Sequence, residues 1–228
     1  MLRAMTLAMT LAMVVVGMSA CRAQTPDQWK VLFDGKSLDA WRGYKQPSAG
    51  AGWKITDGTL HRAGTGGDLI TKEQFGDFEL TLEWKIGKGG NSGIFFRGTE
   101  DAEVIWHTAP EMQILDNANH KDGQSPITSA GANYAVHPPS KDASKPIGEW
   151  NSVRLIAKGT HVEQWFNGVK VVEYELFSPD WEQRVKKSKF VEYPKYGRAL
   201  RGHIGLQDHG DRVAYRNIRI RTLAPSAH

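Results

Sequence analysis

The chain is 228 residues long and contains one cysteine, Cys21, so no disulfide can form within it. Beyond the first twenty residues it has no apolar run long enough to cross a bilayer as a helix. It lacks a sustained 3.6-residue hydrophobic period, although Pro179 to Lys187 has room for a short helix. No Gly-x-Gly-x-x-Gly unit follows a strand-like segment, so a nicotinamide dinucleotide site is not expected. Charge of either sign is not concentrated: 29 Lys and Arg face 25 Asp and Glu, for a net charge of +4. Lys186, Lys187 and Lys189 form the one basic cluster, with no aromatic stripe beside it. It reads as a solvated loop, and no nucleic-acid partner is expected. There is no internal repeat and no low-complexity tract. The 40% hydrophobic and 24% charged content fits an ordinary globular domain.

The N-terminus is a processing signal and not part of the fold. Arg3 gives a positive start, Ala4 to Gly17 is apolar, and small residues follow. Met18-Ser19-Ala20-Cys21 resembles the lipobox of bacterial lipoproteins, in which the cysteine carries the lipid. Residues 1–20 are therefore expected to be a lipoprotein signal peptide, Cys21 the lipidation site, and residues 21–28 a tether. Ordinary secretory cleavage near Ala20 or Ala23 is the alternative. Either route exports the protein. A lipid on Cys21 would place it in the periplasm, attached to the outer membrane through that anchor alone, with two or more acyl chains needed for stable binding.

The remainder, 29–224, reads as many short strands separated by turn signals, an all-β sandwich or barrel. Candidate strands are WKVLF (Trp29 to Phe33), Trp53 to Ile55 paired with Thr59 to His61 across Asp57-Gly58, and Asp77 to Ile86. Ser152 to Ala157, His161 to Phe166 and Val169 to Tyr174 follow, joined by Lys158-Gly159 and Asn167-Gly168, the latter a strong hairpin signal. Arg216 to Thr222 closes the set. Three further segments alternate apolar and polar residues: Asn91 to Arg97, Pro110 to Asn117 and Gly202 to Gly210. In strands, side chains alternate between faces. Ile94, Phe96, Met112, Ile114, Ile204 and Leu206 would face a core. Arg97, Glu111, Gln113, Gln207 and His209 would share the other parity, a mixture suited to a hydroxyl-rich ligand. Two irregular stretches, Asn117 to Asn133 and Ser178 to Arg201, adjoin these strands and read as cleft walls.

Four segments carry a family resemblance: LFDGKSLDAW (Leu32 to Trp41), NSGIFFR (Asn91 to Arg97), PEMQILDN (Pro110 to Asn117) and GHIGLQDHGDRVAYRNIRI (Gly202 to Ile220). GEWN (Gly148 to Asn151) and FNGVKV (Phe166 to Val171) also fit. Together they resemble the 3-keto-disaccharide hydrolase family from about Trp29 to Leu223. The resemblance implies a concanavalin A-like jelly-roll sandwich of two antiparallel sheets, and a substrate that is a glycoside or disaccharide oxidised to a ketone at C3. A C3 ketone acidifies the C2 hydrogen and places the C1 leaving group β to the carbanion, so the glycosidic bond can break by elimination. Water addition then gives net hydrolysis. Such a site needs a base, an acid, and positive charge or a metal at the enolate oxygen.

The expected roles follow from these needs. Glu111 or His209 is the candidate base, and Arg97 the candidate for steadying the enolate or a hydroxyl. Asp116 is a further catalytic candidate. Gln113 and Gln207 would hold hydroxyls through paired donors and acceptors. Tyr134, His120 and Trp106 are candidate substrate contacts, Trp106 as a sugar platform. Glu111, Asp116 and His120 could together take a divalent cation such as Mn, Ca or Zn. The spacing Glu111-x-Gln113-x-x-Asp116 echoes the paired-carboxylate strand of jelly-roll β-glucanases. Here Gln113 replaces the central Asp, and Asp116 needs a bulge to join Glu111, which tells against two-carboxylate hydrolysis.

Other polar residues read as structural: Asp208 bonding turn backbone, His203 as a buried histidine, Asn91 and Ser92 shaping a turn, and Arg216 and Asn217 serving the last strand. Trp84, Trp150 and Trp165 read as core or edge packing. Two non-enzymatic readings stand beside the hydrolase: a carbohydrate-binding module using the same face, and a partner-binding lipoprotein domain. Convergence of Glu111, Gln113, Gln207 and His209 on one concavity is the observation that separates them.

Overall fold

The computed structural model describes residues 28–224. The segment expected to be a signal peptide, Cys21 and nearly all of the expected tether lie outside the described residues. The strands are β1 (Lys30–Phe33), β2 (Trp41–Gly43), β3 (Trp53–Thr56), β4 (Thr59–Arg62), β5 (Leu69–Thr71), β6 (Phe78–Ile86), β7 (Asn91–Gly98), β8 (Glu111–Leu115), β9 (Asn151–Lys158), β10 (His161–Phe166), β11 (Val169–Glu175), β12 (His203–Leu206) and β13 (Val213–Thr222). One helix, α1 (Pro179–Lys187), follows β11.

The strands form two antiparallel sheets, the jelly-roll sandwich that the sequence resemblance implies. The larger runs β11-β10-β9-β6-β13-β4-β3, with β1 also paired to β13, and the smaller runs β2-β5-β12-β7-β8. Two hairpin turns follow their sequence signals. Asp57 and Gly58 between β3 and β4, and Asn167 and Gly168 between β10 and β11, all have positive φ, the geometry whose twist matches paired strands.

The core lies between the sheets. From the larger sheet come Leu80, Leu82 and Trp84 of β6 and Val153, Leu155 and Ala157 of β9; from the smaller come Ile94, Phe96, Met112, Ile114, Ile204 and Leu206. Register explains the shared face: Ile94 lies opposite both Met112 and Leu206. Trp84 stacks on Phe166 with ring centroids 5.6 Å apart, so it packs the core. A smaller apolar cluster of Ile70, Phe95, Ile105 and Ala109 covers part of the opposite face of the small sheet. That face is therefore half packed and half open.

The helix α1 begins at Ser178, whose Oγ accepts from Trp181 N (3.2 Å), with Pro179 in its first turn and Asp180 and Glu182 nearby. Arg184, Lys186 and Lys187 occupy its last turn. Cap, proline and charge order all suit a helix here. Buried Trp181 and Val185 fix it to the core. The chain leaving α1 then returns toward the open half of the small sheet. Among the described residues, no helix is long and apolar enough to cross a membrane.

Candidate active site

The open half of the small sheet holds a cleft of about 210 Å³ lined by Asn91, Trp106, Glu111, Gln113, Tyr134, Lys189, Gln207 and His209. The sheet brings three of these together by register. Gly93 of β7 lies opposite Gln113 of β8, and Phe95 opposite Glu111, so Glu111, Gln113 and Asn91 share one face. Gly93 is required at the floor: a Cβ there would stand 1.9 Å from Glu111 Oε1.

β12 ends at Leu206, one residue short of the first polar group expected on it. Gln207 and His209 sit on the loop that follows, which is clasped from several sides. Gln207 N donates to Gly93 O (3.0 Å), and Ser92 Oγ donates to Gln207 O (2.8 Å). Asp208 N donates to Asp68 Oδ1 (2.8 Å). The Asp208 carboxylate accepts from Gly66 N and Gly67 N and pairs with Arg62. Asp208 thus bonds turn backbone, as expected, and so holds its neighbours over the cleft. Gln207 Oε1 is buried and has no hydrogen-bond partner, an unmet acceptor at the position where a sugar hydroxyl would donate.

Glu111 is 4% exposed. Burial raises its carboxyl to a pKa of about 8; Lys189 opposes the shift, and the charges of Asp68 and Asp122 add to it. The Gln113 amide in one orientation donates to Glu111 Oε1 (3.3 Å) and Ser92 O (3.1 Å), and in the other to Thr128 O (3.3 Å). Asp68 is itself raised to about 6 by burial, against the pull of the Asp208 N–H. Tyr134 donates to Asp122 Oδ2 (3.2 Å), and burial first, then Asp122, pushes its hydroxyl up to about 12. Trp106 meets His107 and Tyr193 edge-on, with centroids 4.2 and 5.0 Å away, which leaves it standing as a wall.

His209 lies at the mouth. Its Nε2 is 3.5 Å from Asn91 Nδ2, and its Nδ1 is 3.5 Å from Asp211 Oδ2. His120 is at the rim, its ring 6.2 Å from that of His209, with Nδ1 accepting from Asp122 N (3.1 Å). His203 is structural: its Nδ1 meets Thr71 O at 2.7 Å.

Several expectations are corrected. Arg97 is not in the cleft. Its φ is +52°, and the register of β7 against β12 shifts alongside it, between His203 and Gly205. That irregularity turns the side chain away from its parity. The guanidinium, 1% exposed, donates to Gly76 O and Gly159 O and pairs with Asp77, tying two turns of the large sheet together.

Asp116 is the second correction. No bulge brings it beside Glu111. Its carboxylate accepts from Gly89 N (2.8 Å), Ala118 N (3.2 Å) and Asn119 Nδ2 (2.8 Å). Burial pushes its pKa up, but these N–H groups outweigh that and hold it below the usual range. The expected ligand set of Glu111, Asp116 and His120 is consequently not assembled. Among the described residues, the one group of three whose ligand atoms meet is His161, Glu163 and Glu173, on the large sheet, where Lys170 already bridges the two carboxylates.

Third, Lys189 is not simply a solvated lysine. It lines the cleft, with Nζ 4.8 Å from the Trp106 ring centroid and 4.6 Å from that of Tyr134. Burial of the ammonium lowers its pKa, opposed by Glu111 and Asp122, although the residue as a whole stays exposed. Asn91 likewise lines the cleft and does more than shape a turn. Weak signals were present: Lys189 sits beside a phenylalanine within a stretch read as a cleft wall, and Asn91 shares parity with Glu111.

Comparison with known proteins shows the family of the chain. The model of a family described as the 3-keto-alpha-glucoside-1,2-lyase-like domain matches residues 28–221. A 3-keto-disaccharide hydrolase of Bacteroides thetaiotaomicron is 37% identical, over 86% of this chain and 79% of its own length. A crystal structure of a candidate glycosyl hydrolase from Parabacteroides distasonis superposes with a TM-score of 0.81 at 32% identity, covering 86% of this chain and 94% of that one. A Bacillus subtilis protein with a galectin-like fold, 14% identical over 89% of this chain and 98% of that one, has a TM-score of 0.58 and shares the fold alone.

Proposed function

The chain belongs to the 3-keto-alpha-glucoside-1,2-lyase-like family of glycosidase-like enzymes, and from that premise we propose that its cleft cleaves 3-keto-glycosides by elimination followed by hydration. One observation carries this reading: Glu111 is the one carboxylate in the cleft lining. Hydrolysis of an unoxidised glycoside in the usual way requires two carboxyl groups flanking the bond. A C3 ketone removes that need, because the bond then breaks through a carbanion.

The residues present suit the steps. Glu111 takes the C2 proton. A desolvated carboxylate with a pKa of about 8 is a far stronger base than an exposed one, and its value lies near working pH. The C–H electron pair moves toward the ketone oxygen, and the enolate then expels the C1 oxygen. His209, at the open mouth, is placed to protonate that departing oxygen where the aglycone meets solvent. Gln113, Gln207 and Asn91 hold ring hydroxyls, and Trp106 offers a face for the ring's C–H surface. Water adds across the C1–C2 double bond of the enone product and restores a free 3-keto sugar. The ketone must be installed beforehand by a separate oxidation.

The test is turnover of a chromogenic glucoside beside its 3-keto counterpart, with EDTA and with added Mn, Ca or Zn. Cleavage of the 3-keto compound alone, with C2-deuteration slowing it, is expected. Cleavage of the unoxidised glucoside would overturn the elimination reading, and saturable sugar binding without cleavage would favour a binding module. Export rests on the sequence of residues 1–21; Cys21→Ala should move the protein from the membrane to the soluble periplasmic fraction.

A further inference from the structure

Proton abstraction beside a ketone needs more than a base. The negative charge arrives on the carbonyl oxygen, and a fixed positive charge there accounts for much of the rate. The sequence offered Arg97 for this position, and the structure removes it to the far side of the sheet. A divalent cation was the other candidate, and its expected ligands do not converge. The cleft does hold a cation, on a residue the sequence pattern hid.

We propose that the Lys189 ammonium is the group that stabilises the C3 enolate, a proposal that rests on the elimination reading above. Three observations support it. The first is position: Lys189 and Glu111 line the same cleft and each feels the other's charge, yet among the described residues no ion pair joins them. A base for the C2 hydrogen and a cation for the adjacent carbonyl oxygen must be close without touching, since the substrate's C2–C3 unit has to fit between them.

The second is rigidity. Lys189 opens a short 3-10 turn, Lys189–Glu192, whose Ser188 Oγ accepts from Phe190 N (3.1 Å). Phe190 is 1% exposed and lies flat on buried Tyr196, with centroids 3.8 Å apart. The lysine is thus anchored at its base while its head stands among the rings of Trp106, Tyr134 and Phe190. Cation–π contacts of this kind hold an ammonium without neutralising it. The third is contrast within the sequence: Lys186 and Lys187, three and two residues earlier, end α1 as ordinary helix-terminal cations.

A sugar ring stacked on Trp106 would displace water from Lys189 and strengthen its field at the carbonyl oxygen. The step balances without a further reagent. Glu111 gains the C2 proton, the C–H pair becomes the enolate, and Lys189 donates a hydrogen bond to the oxygen and keeps its own proton.

The experiment compares wild type, Lys189→Met and Lys189→Arg on a 3-keto-glycoside, with EDTA throughout. Lys189→Met should lower kcat about 10²–10³-fold with KM changed much less, and should abolish exchange of the C2 hydrogen with D2O. Lys189→Arg should recover part of both. The pH–rate limb governed by Glu111 should move upward in Lys189→Met, since the cation that favours the carboxylate is gone; a purely structural lysine would not move it. Wild-type thermal stability in both variants serves as the folding control. If Lys189→Met keeps kcat within threefold while wild type cleaves the substrate, the proposal falls alone. If wild type cleaves no 3-keto-glycoside, the elimination reading falls with it.

Discussion

The two outward faces of the sandwich are both polar, and they differ in whether their polar groups are satisfied. On the large sheet, a hollow of about 850 Å³ runs over Thr81, Glu83, Arg154, Trp165, Asn217 and Arg219, four times the volume of the cleft. Its charges are answered. Glu83 accepts from Arg216 Nε (2.7 Å) and Asn217 Nδ2 (2.6 Å), Glu79 pairs with Arg154 and Arg221, and Trp165 Nε1 donates to Glu163 (2.7 Å). Burial pushes the Glu79 and Glu83 carboxyls up, and their arginines more than reverse it. On the small sheet, Glu111 has no arginine and stays near 8, and Gln207 Oε1 has no partner at all. Unmet bonding capacity, and not size, separates a surface that is finished from one that awaits a ligand.

The sharpest way to break this contrast is Glu111→Gln. Removing the base should lower turnover of a 3-keto-glycoside by about 10³-fold or more. The same change should stabilise the fold. Because the folded-state pKa of about 8 lies above the ordinary 4.5, the folded protein binds the proton more tightly than the unfolded chain. The carboxyl therefore costs stability that grows from about pH 4.5 to about pH 8. Glu111→Gln should gain roughly 2–4 kcal/mol over wild type at pH 9 and little at pH 4, read by denaturant melts at both pH values. In wild type, the limb of kcat/KM governed by Glu111 should rise with pH with its midpoint near 8, which a pH–rate profile checks.

Gly93→Ala comes next. The added methyl meets Glu111, and a displaced base should cost about 10²-fold in kcat while circular dichroism stays native. On the finished face the pattern should invert. Glu79→Gln should cost about 1–2 kcal/mol of stability with kcat/KM unchanged. Arg219→Ala, whose Nε donates to Thr81 Oγ1, should move stability by about 0.5 kcal/mol or less and leave activity alone. A large activity loss in either would mean that the outer hollow takes part in function.

The β-sandwich was legible because its signals are local: alternation set the core parity of Ile94, Met112 and Leu206, and Asn-Gly and Asp-Gly marked the hairpins. Glu111, Gln113, Gln207 and His209 were likewise found by parity, and the structure brings all four to one cleft. Arg97 was misplaced because a bulge is invisible to alternation; one residue at positive φ reversed its face. Asp116 was misjudged the other way, since no bulge formed and local N–H groups claimed it. Lys189 could not be found by alternation, because a 3-10 turn after a helix, and not a strand, delivers it. Its place in the cleft is set by rings from two distant segments, Trp106 and Tyr134, together with its neighbour Phe190.

The strand that begins the described domain has a practical consequence. β1 lies in the large sheet, paired to β13, while the cleft opens from the outer face of the small one. Whatever is joined ahead of Trp29 is thereby attached to the layer farther from the chemistry. A bead, a fusion partner or an affinity handle fixed at that end should present the catalytic mouth outward, so coupling through the N-terminus is the orientation to choose for immobilised turnover.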